Sequence, residues 1–278
     1  MKLNKIVYAD LQRVGMCNRL FTWATAIVFS YKYNLPVRIH GWYKTQIGPW
    51  IRNEKNKRIY YNYFNKHSGI LQFKIRERLL SKGVLFNPPL NESVNINPFH
   101  TIVFNSIPHS DIYFNDLKDF RPFIIKELNA MIRTSIRMRI ESAPKPGIGV
   151  HVRKGDFMKT GQSESNNYFI TTINYVRSKY DNRSDVYLFT DSRKEEIQNL
   201  LDLPNVRIYQ GETDIEDLMV LSKSRIIVTS HHSSFSYWAG FLSDALIIHT
   251  NKYQGHPNRN KEFKVEAEYL IEVPQDSF

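Results

Sequence analysis

The chain has 278 residues, of which 42% are hydrophobic and 23% charged, and a formal net charge of +11 at pH 7. This composition is typical of a globular protein of one large or two modest domains, and it excludes a disordered, collagen-like or low-complexity chain. A single cysteine, Cys17, excludes an intramolecular disulfide framework and a multi-cysteine zinc site.

The N-terminal forty residues predict a β-loop-α-β unit, the opening of a parallel α/β sheet. Residues 5–9 have the pattern of a buried strand, and residues 19–34 carry apolar side chains at helical spacing. Pro36 cannot continue a helix, so we expect the helix to end before it and a strand to follow at 37–40.

Residues 41–110 mix aromatic and basic side chains without a readable period, and one helix is predicted over 119–140. The charge balance then changes. Residues 1–140 hold 22 Lys and Arg against 8 Asp and Glu, a net +14, and the remainder holds 16 against 19, a net −3. The proline-rich segment 143–147 lies at this change, so we predict two domains, 1–143 and 144–278.

Strands and helices alternate along the second half, which predicts a doubly wound parallel sheet. Strands are predicted at 149–152, 186–190, 206–209, 225–229 and 245–249, with helices at 168–180, 193–201, 215–222 and 235–242.

Three polar segments follow predicted strands, and ligands of an open parallel sheet bind beyond the carboxyl ends of its strands. The first segment, HVRKGD, places Arg153 and Lys154 directly after a strand. Arg offers a diphosphate two parallel hydrogen bonds, and Lys offers a compact charge. The segment also fits a basic turn in which Asp156 pairs locally.

The other two segments are YLFTDS and VTSHHSSF. Asp191 follows its strand and suits ribose hydroxyls or a nearby Arg, but it also suits a helix N-cap, as does Ser192. Ser233 and Ser234 precede a helix, where backbone N–H groups and hydroxyls together form an anion site.

Two further motifs give weaker signals. The adjacent His231 and His232 point apart on any regular element, and no carboxylate or cysteine cluster accompanies them, so no metal site is predicted. The loop RVGMCNR has one glycine and is not a dinucleotide fingerprint, but Arg13 and Arg19 flanking Asn18 suit a polar ligand.

Taken in order, these motifs resemble the α-1,2-fucosyltransferases of glycosyltransferase family 11. That family carries HVRRGD, a strand ending in a Ser/Thr-Asp pair, and a block that ends in IIANSSFSWW. HVRKGD, VYLFTDS and residues 214–243 of this chain are similar to the three motifs, and RVGMCNRLFTWATA looks like the family's GGLGNQMFQYA.

The resemblance implies a GT-B-like α/β enzyme of two Rossmann-type halves whose parallel sheets face each other across a cleft. Residues 1–143 would form the acceptor-side domain, and residues 144–278 would bind the GDP-sugar. The enzyme would transfer L-fucose from GDP-fucose, with inversion, to a glycan hydroxyl, in an α-1,2 linkage to galactose, and it would need no metal or other cofactor.

By matching positions, the resemblance also implies roles for individual residues. Donor-binding residues would be Arg153 on the diphosphate, Lys154, Asp156, Asp191, Ser233, Ser234 and Phe235. Asn18 and Arg19 would face the donor sugar or the acceptor. The catalytic candidates are Arg153, His151 and Asn18, and no carboxylate is recognisable as a general base.

Departures from the family pattern leave other functions open. Lys154 stands where the family has a second Arg, and Val14 and Cys17 stand where it has glycines. The alternatives are a related enzyme that uses another GDP-sugar or a protein acceptor, and a non-catalytic nucleotide- or glycan-binding protein. No sequence motif supports nucleic-acid binding.

The sequence also bears on location. The first residues lack the apolar core of a secretory signal, and the most apolar run, residues 20–31, is too short to span a membrane, which takes about 20 residues. We therefore expect a cytoplasmic protein. Basic residues beside Trp and Tyr in 41–85 suit the inner, anionic face of the cell membrane, although they also fit a solvated face or an acceptor groove.

Overall fold

The computed structural model describes residues 6–45, 47–51, 57–65, 83–94, 101–108, 114–155, 163–180, 184–230, 233–249 and 270–272. The chain divides into two compact units, Met1–Thr134 and Ser135–Phe278. The division falls shortly before the predicted boundary at 143/144, because the helix that follows Thr134 is tied to the second unit. Arg139 Nε in that helix donates to Glu216 Oε2 at 2.8 Å.

The first unit is a parallel four-stranded sheet with the order β2-β1-β4-β3. Its strands are β1 (Val7–Asp10), β2 (Val37–His40), β3 (Val84–Phe86) and β4 (Thr101–Phe104), and its first two helices are α1 (Met16–Lys32) and α2 (Gly48–Ile51). The predicted β-loop-α-β opening is confirmed, while β3 and β4 both lie within residues 41–110, whose pattern predicted no element.

Helix α1 fills the core of the first unit. Leu20, Phe21, Trp23 and Ala24 are all at most 1% exposed, because apolar residues occupy most of its positions. The helix ends before Asn34, whose φ of 49° is left-handed, a conformation that asparagine tolerates better than most residues.

The single helix predicted over 119–140 is wrong, because the chain forms two helices there. They are α3 (Arg121–Met131) and α4 (Thr134–Ser142). Ile132 between them is extended, with ψ 136°, and forms an antiparallel bridge with Phe64. Arg133 N donates to Tyr63 O at 3.0 Å, so a tertiary backbone contact takes the place of a helical turn.

The second unit is a parallel six-stranded sheet with the order β10-β9-β8-β5-β6-β7. Its strands are β5 (Ile148–Val152), β6 (Val186–Thr190), β7 (Val206–Ile208), β8 (Ile226–Val228), β9 (Leu246–His249) and β10 (Leu270–Glu272). Its remaining helices are α5 (Asn166–Lys179), α6 (Gln198–Leu201), α7 (Asp214–Leu221) and α8 (Ser234–Leu242). Five of these strands match the sequence prediction closely.

The strand order of the second unit fixes where a ligand belongs. Counted within the unit, the order is 3-2-1-4-5-6, the arrangement of a dinucleotide-binding sheet. Strands β6 and β7 are added on one side of β5, and β8, β9 and β10 are added on its other side. The strand order therefore reverses between β5 and β8, which are adjacent and parallel. A crevice forms at such a switch point beyond the carboxyl ends of the two strands.

Candidate functional site

The motif HVRKGD and the VTSHHSSF segment meet at the switch point of the second sheet. Arg153 follows β5 and Ser230 follows β8. The Arg153 backbone N–H donates to Ser230 Oγ at 2.9 Å, and Ser230 Oγ donates to His151 O at 2.7 Å. The two segments that the sequence predicts to bind phosphate are therefore joined directly.

Arg153 carries the accessible positive charge of this site. Its Nη1 lies 2.6 Å from Asp191 Oδ2, and both side chains are 27% exposed. Asp191 therefore orients the guanidinium while leaving part of it open to solvent. Of the roles that the sequence left open for Asp191, the structure shows the ion pair with a nearby Arg, and the nucleotide-binding role implied by the family resemblance stays a prediction.

Asp191 also fixes the turn after Arg153. Its Oδ1 accepts from the Lys154 backbone N–H at 2.9 Å. A Cβ added at Gly155 would overlap Asp191 Oδ2, so the carboxylate can approach this turn only because residue 155 is glycine. The glycine of the HVRKGD motif thus has a packing reason.

Lys154 does not present its charge beside Arg153. The residue is 8% exposed, and its Nζ donates to the backbone carbonyl of Glu164 at 2.6 Å. Burial lowers the pKa of this ammonium. Lys154 therefore anchors the chain around Glu164, and the donor-binding role implied for it has no support from its position.

His151 is buried beneath the site and packs against the first turn of α8. Its Nδ1 lies 2.7 Å from Ser236 Oγ, and its ring stacks on Phe235 with centroids 4.8 Å apart. Burial, together with the positive charge of Arg153, lowers the pKa of His151 to about 3. Its contacts with Ser236 and Phe235 give His151 a positioning role, and its burial and lowered pKa disfavour a role as general base.

The start of α8 completes the second-unit site. Ser233 occupies the N-cap position without a side-chain capping hydrogen bond, and the first turn holds no acidic residue. Ser234 and Phe235 form that first turn, where unpaired N–H groups and the helix dipole favour an anion. Asp156, His231 and His232 lie outside the described residues.

In the first unit, Arg19 does not face a ligand. It is fully buried and donates to four backbone carbonyls: Nε to Val14 at 3.0 Å, Nη1 to Gly41 at 2.7 Å and Trp42 at 3.2 Å, and Nη2 to Lys44 at 2.6 Å. Burial lowers the pKa of Arg19 to about 10, so it stays charged at neutral pH. The expectation that Arg19 binds sugar is therefore corrected, because its guanidinium holds the loop after β2.

Asn18, one residue earlier, remains a ligand candidate. Its Oδ1 is buried and has no hydrogen-bond partner within the described ranges. Buried acceptors are nearly always paired, so this oxygen calls for a donor other than the described residues, such as a bound ligand.

A titratable cluster that the sequence analysis missed lies at the carboxyl edge of the first sheet. We call it the His40 cluster, and it comprises Asp10, His40, Tyr43 and Lys44. Asp10 and His40 are register partners at the ends of β1 and β2. The available signal was that Asp10 directly follows the predicted strand 5–9 and His40 ends the predicted strand 37–40, since the carboxyl ends of adjacent parallel strands meet.

Two absences concern only the described part of the chain. Within it, no group of three or more His, Cys, Asp or Glu is arranged to hold a metal ion. Among the same residues, no helix is long and apolar enough to cross a membrane.

These two parallel α/β units have the architecture of GT-B-like glycosyltransferases. Residues 55–273 match the family Glycosyl transferase family 11, so the chain belongs to that family. The predicted resemblance to glycosyltransferase family 11 is thereby confirmed, and the protein is a glycosyltransferase. No curated protein sequence matches the chain.

Solved structures share the fold at low sequence identity. The NodZ α-1,6-fucosyltransferase soaked with GDP-fucose is 16% identical with a TM-score of 0.57, over 90% of this chain and 96% of that one. Fucosyltransferase NodZ from Bradyrhizobium is 15% identical with a TM-score of 0.56, over 86% of this chain and 93% of that one. A mutant of Arabidopsis thaliana FUT1 in complex with GDP is 12% identical with a TM-score of 0.51, over 88% of this chain and 70% of that one.

Proposed function

We propose that this chain is an inverting fucosyltransferase that transfers L-fucose from GDP-fucose to a glycan hydroxyl, with an α-1,2 linkage to galactose. Family membership and the ordered motifs support the class of enzyme. Two structures that share the fold, one soaked with GDP-fucose and one in complex with GDP, support the donor. The linkage rests on the motif resemblance.

One observation carries the donor assignment: Ser230 ties Arg153 to the first turn of α8 at the switch point of the second sheet. Its Oγ accepts from the Arg153 backbone N–H at 2.9 Å, and its own backbone N–H donates to Ser236 Oγ at 3.1 Å. Cleavage of the bond between fucose C1 and the diphosphate leaves the electron pair on a β-phosphate oxygen. A guanidinium and helix N–H groups already fixed in place stabilise that developing charge without reorganisation. Arg153 is thus the residue to which we assign departure of GDP.

The donor is tested by thermal stabilisation with GDP, GDP-fucose and GDP-mannose. A ligand at 100 times its dissociation constant stabilises the folded state by about 2.7 kcal/mol, which a melting experiment resolves. We expect GDP-fucose to stabilise more than GDP-mannose. Stronger stabilisation by GDP-mannose would instead support the alternative of a related enzyme with another GDP-sugar.

The linkage is tested on the product. The protein is incubated with GDP-fucose and lactose, and the product is treated with a fucosidase specific for α-1,2 bonds. Removal of the fucose supports the assignment, and resistance contradicts it. Tight binding of GDP-fucose without release of GDP over hours would indicate a non-catalytic binding protein.

We further propose that the first unit contacts an anionic lipid surface. Ile47, Trp50 and Ile51 are 70%, 57% and 78% exposed around the single turn of α2, and Lys57 Nζ lies 5.3 Å from the centre of the Trp50 ring. Apolar and indole side chains beside a cation suit the membrane interface. Most other basic residues of 41–85 lie outside the described residues.

A further inference from the structure

The buried hydroxyl of Ser236 connects the start of α8 to both strands that border the crevice of the second unit. Ser236 is the third residue of α8 and is fully buried. Its Oγ lies 2.7 Å from Nδ1 of His151, which belongs to β5. The same Oγ accepts from the backbone N–H of Ser230 at 3.1 Å, and Ser230 lies two residues after β8.

Ser230 closes this connection into a ring of hydrogen bonds. Its Oγ donates to the backbone carbonyl of His151 at 2.7 Å and accepts from the backbone N–H of Arg153 at 2.9 Å. Ser230 is 1% exposed and His151 6% exposed, so these hydrogen bonds form away from water, where they are electrostatically stronger. We call His151, Ser230 and Ser236 the serine-histidine ring.

The direction of the bond between Ser236 and His151 follows from the protons available. The Ser236 oxygen already accepts from Ser230, so its own proton needs a further acceptor. Among the described residues, that acceptor is Nδ1 of His151. Buried polar groups are nearly always paired, so the hydroxyl donates and Nδ1 accepts.

His151 is therefore held as a single tautomer. Burial and the positive charge of Arg153 lower the pKa of His151 to about 3, so the ring is neutral at pH 7 and carries one N–H. Because Nδ1 accepts, this N–H belongs to Nε2. The stacking of the ring on Phe235 fixes the plane of the imidazole against the first turn of α8.

The serine-histidine ring joins two groups that the proposed function uses together. Arg153 supplies a guanidinium and the start of α8 supplies backbone N–H groups, and a bound diphosphate has to be within reach of both. The hydrogen bonds of Ser230 and Ser236 fix the backbone of Arg153 relative to that first turn. A misplacement of about 1 Å in such a site can cost about 100-fold in rate.

We infer that Ser236 is a positioning residue for the donor diphosphate: its hydroxyl holds His151 as the Nε2–H tautomer and, through Ser230, keeps Arg153 in place beside the start of α8. This inference rests on the proposed function. Ser236 acts through other residues, so it is not assigned a contact with the ligand.

The test compares two buried serines at opposite ends of α8. Ser236→Ala removes the hydroxyl at the start of the helix, and Ser243→Ala removes a hydroxyl at its end, where Ser243 Oγ donates to Gly240 O at 3.0 Å. Both variants should melt at a lower temperature than the wild type, because each loses a buried hydrogen bond. Melting temperature alone therefore does not separate positioning from stability.

Affinity and rate make that separation. We expect Ser236→Ala to raise the calorimetric Kd for GDP about tenfold and to slow GDP release from GDP-fucose by about 10-fold to 100-fold. Ser243→Ala should keep both values within about threefold of wild type, because its contacts are at the far end of the helix. Ser236→Thr keeps the hydroxyl and should bind GDP more tightly than Ser236→Ala.

The tautomer of His151 is a readout that a general loss of stability does not move. In NMR spectra of the histidine side-chain nitrogens, an unprotonated ring nitrogen resonates far from one that carries a proton. The His151 signals are assigned by their loss in His151→Asn. We expect an unprotonated Nδ1 and a protonated Nε2 in the wild type and in Ser243→Ala, and the other tautomer to appear in Ser236→Ala.

Three results would overturn the inference and leave the proposed function standing. They are a protonated Nδ1 in the neutral ring of the wild type, an unchanged Kd for GDP in Ser236→Ala, and an equal rise of that Kd in Ser243→Ala. A wild type that binds GDP-fucose and never releases GDP contradicts the proposed function, whereas the comparison of Kd values still decides the inference. A wild type that binds neither GDP nor GDP-fucose overturns both.

Discussion

Arg153 and Lys154 are adjacent cations with different surroundings, and we expect different consequences when each is truncated. Arg153→Ala should weaken GDP binding by about 2 to 5 kcal/mol, the cost of truncating one partner of a desolvated charge pair. Lys154→Ala removes a buried anchor to the Glu164 carbonyl, so it should lower the melting temperature and change the Kd for GDP little.

Calorimetry with GDP and thermal melting of both variants provide the comparison. Arg153→Lys is the control for charge, since it keeps the cation and loses the planar fork. Equal, small losses of GDP affinity in the two alanine variants would contradict the assignment of the diphosphate to Arg153.

His151 predicts a pH dependence of stability. Its pKa is about 3 in the folded protein, against 6.5 for an unperturbed histidine. Between these values the unfolded chain binds a proton that the folded chain does not, so this contribution to stability is present above pH 6.5 and is lost as the pH falls. The free energy of unfolding should decrease by up to about 1.4 kcal/mol per pH unit on this account.

The check is urea unfolding between pH 5 and 7.5 for wild type and His151→Asn. Asn retains a polar partner for Ser236 but does not titrate. The variant should show the shallower decline on acidification. Parallel declines would mean that His151 is protonated in the folded protein.

At the scale of elements, the strands of the second unit were predictable and the His40 cluster of the first unit was not. Residues such as 186–190 form short apolar runs bounded by polar loops, and β6 occupies the same residues. Helix α8 begins at Ser234, one residue from its predicted start. Local patterns therefore placed Arg153, Asp191 and Ser233 at strand ends and a helix start.

The features that the sequence did not predict depend on tertiary contacts. Register pairs Asp10 with His40, and no local pattern specifies register between two short strands. Arg19 was expected to face a ligand, yet it lies four residues before Trp23 on the buried face of α1. Helical spacing alone could have indicated that Arg19 points inward. The break between α3 and α4 depends on Phe64, far away in sequence.

The exposed apolar side chains of helix α2 lead to a prediction about binding to lipid vesicles. The wild type should sediment with vesicles that contain phosphatidylserine at low ionic strength, and it should be released by salt, because screening shortens the reach of the basic residues. Trp50→Ser with Ile51→Ser should reduce the bound fraction. Tyr180→Ser, which changes an exposed aromatic residue of the second unit, is the control.

Retention of the wild type in the supernatant with anionic vesicles at low salt would contradict the lipid contact. Ile47, Trp50 and Ile51 would then belong to an acceptor contact or to another exposed face of the first unit.

At the scale of the whole molecule, we predict turnover without a divalent cation. The site combines a guanidinium with the start of a helix, and both can stabilise the departing diphosphate. Initial rates of GDP release in excess chelator should equal those with added magnesium or manganese. A rate that disappears with chelator and returns with either metal would contradict this prediction.

The pairing of β5 with β8 also sets the order in which the molecule can be completed during synthesis. Ser230 follows Arg153 by 77 residues, so at about 5 to 20 residues per second the ribosome delivers it roughly 4 to 15 s later. Through that interval one hydrogen-bonding edge of β5, whose five residues are all buried in the finished sheet, has no strand beside it. An unpaired apolar edge is a template for wrong association. We therefore expect the nascent chain to need a factor, such as a chaperone, that covers this edge of β5 until β8 has been synthesised.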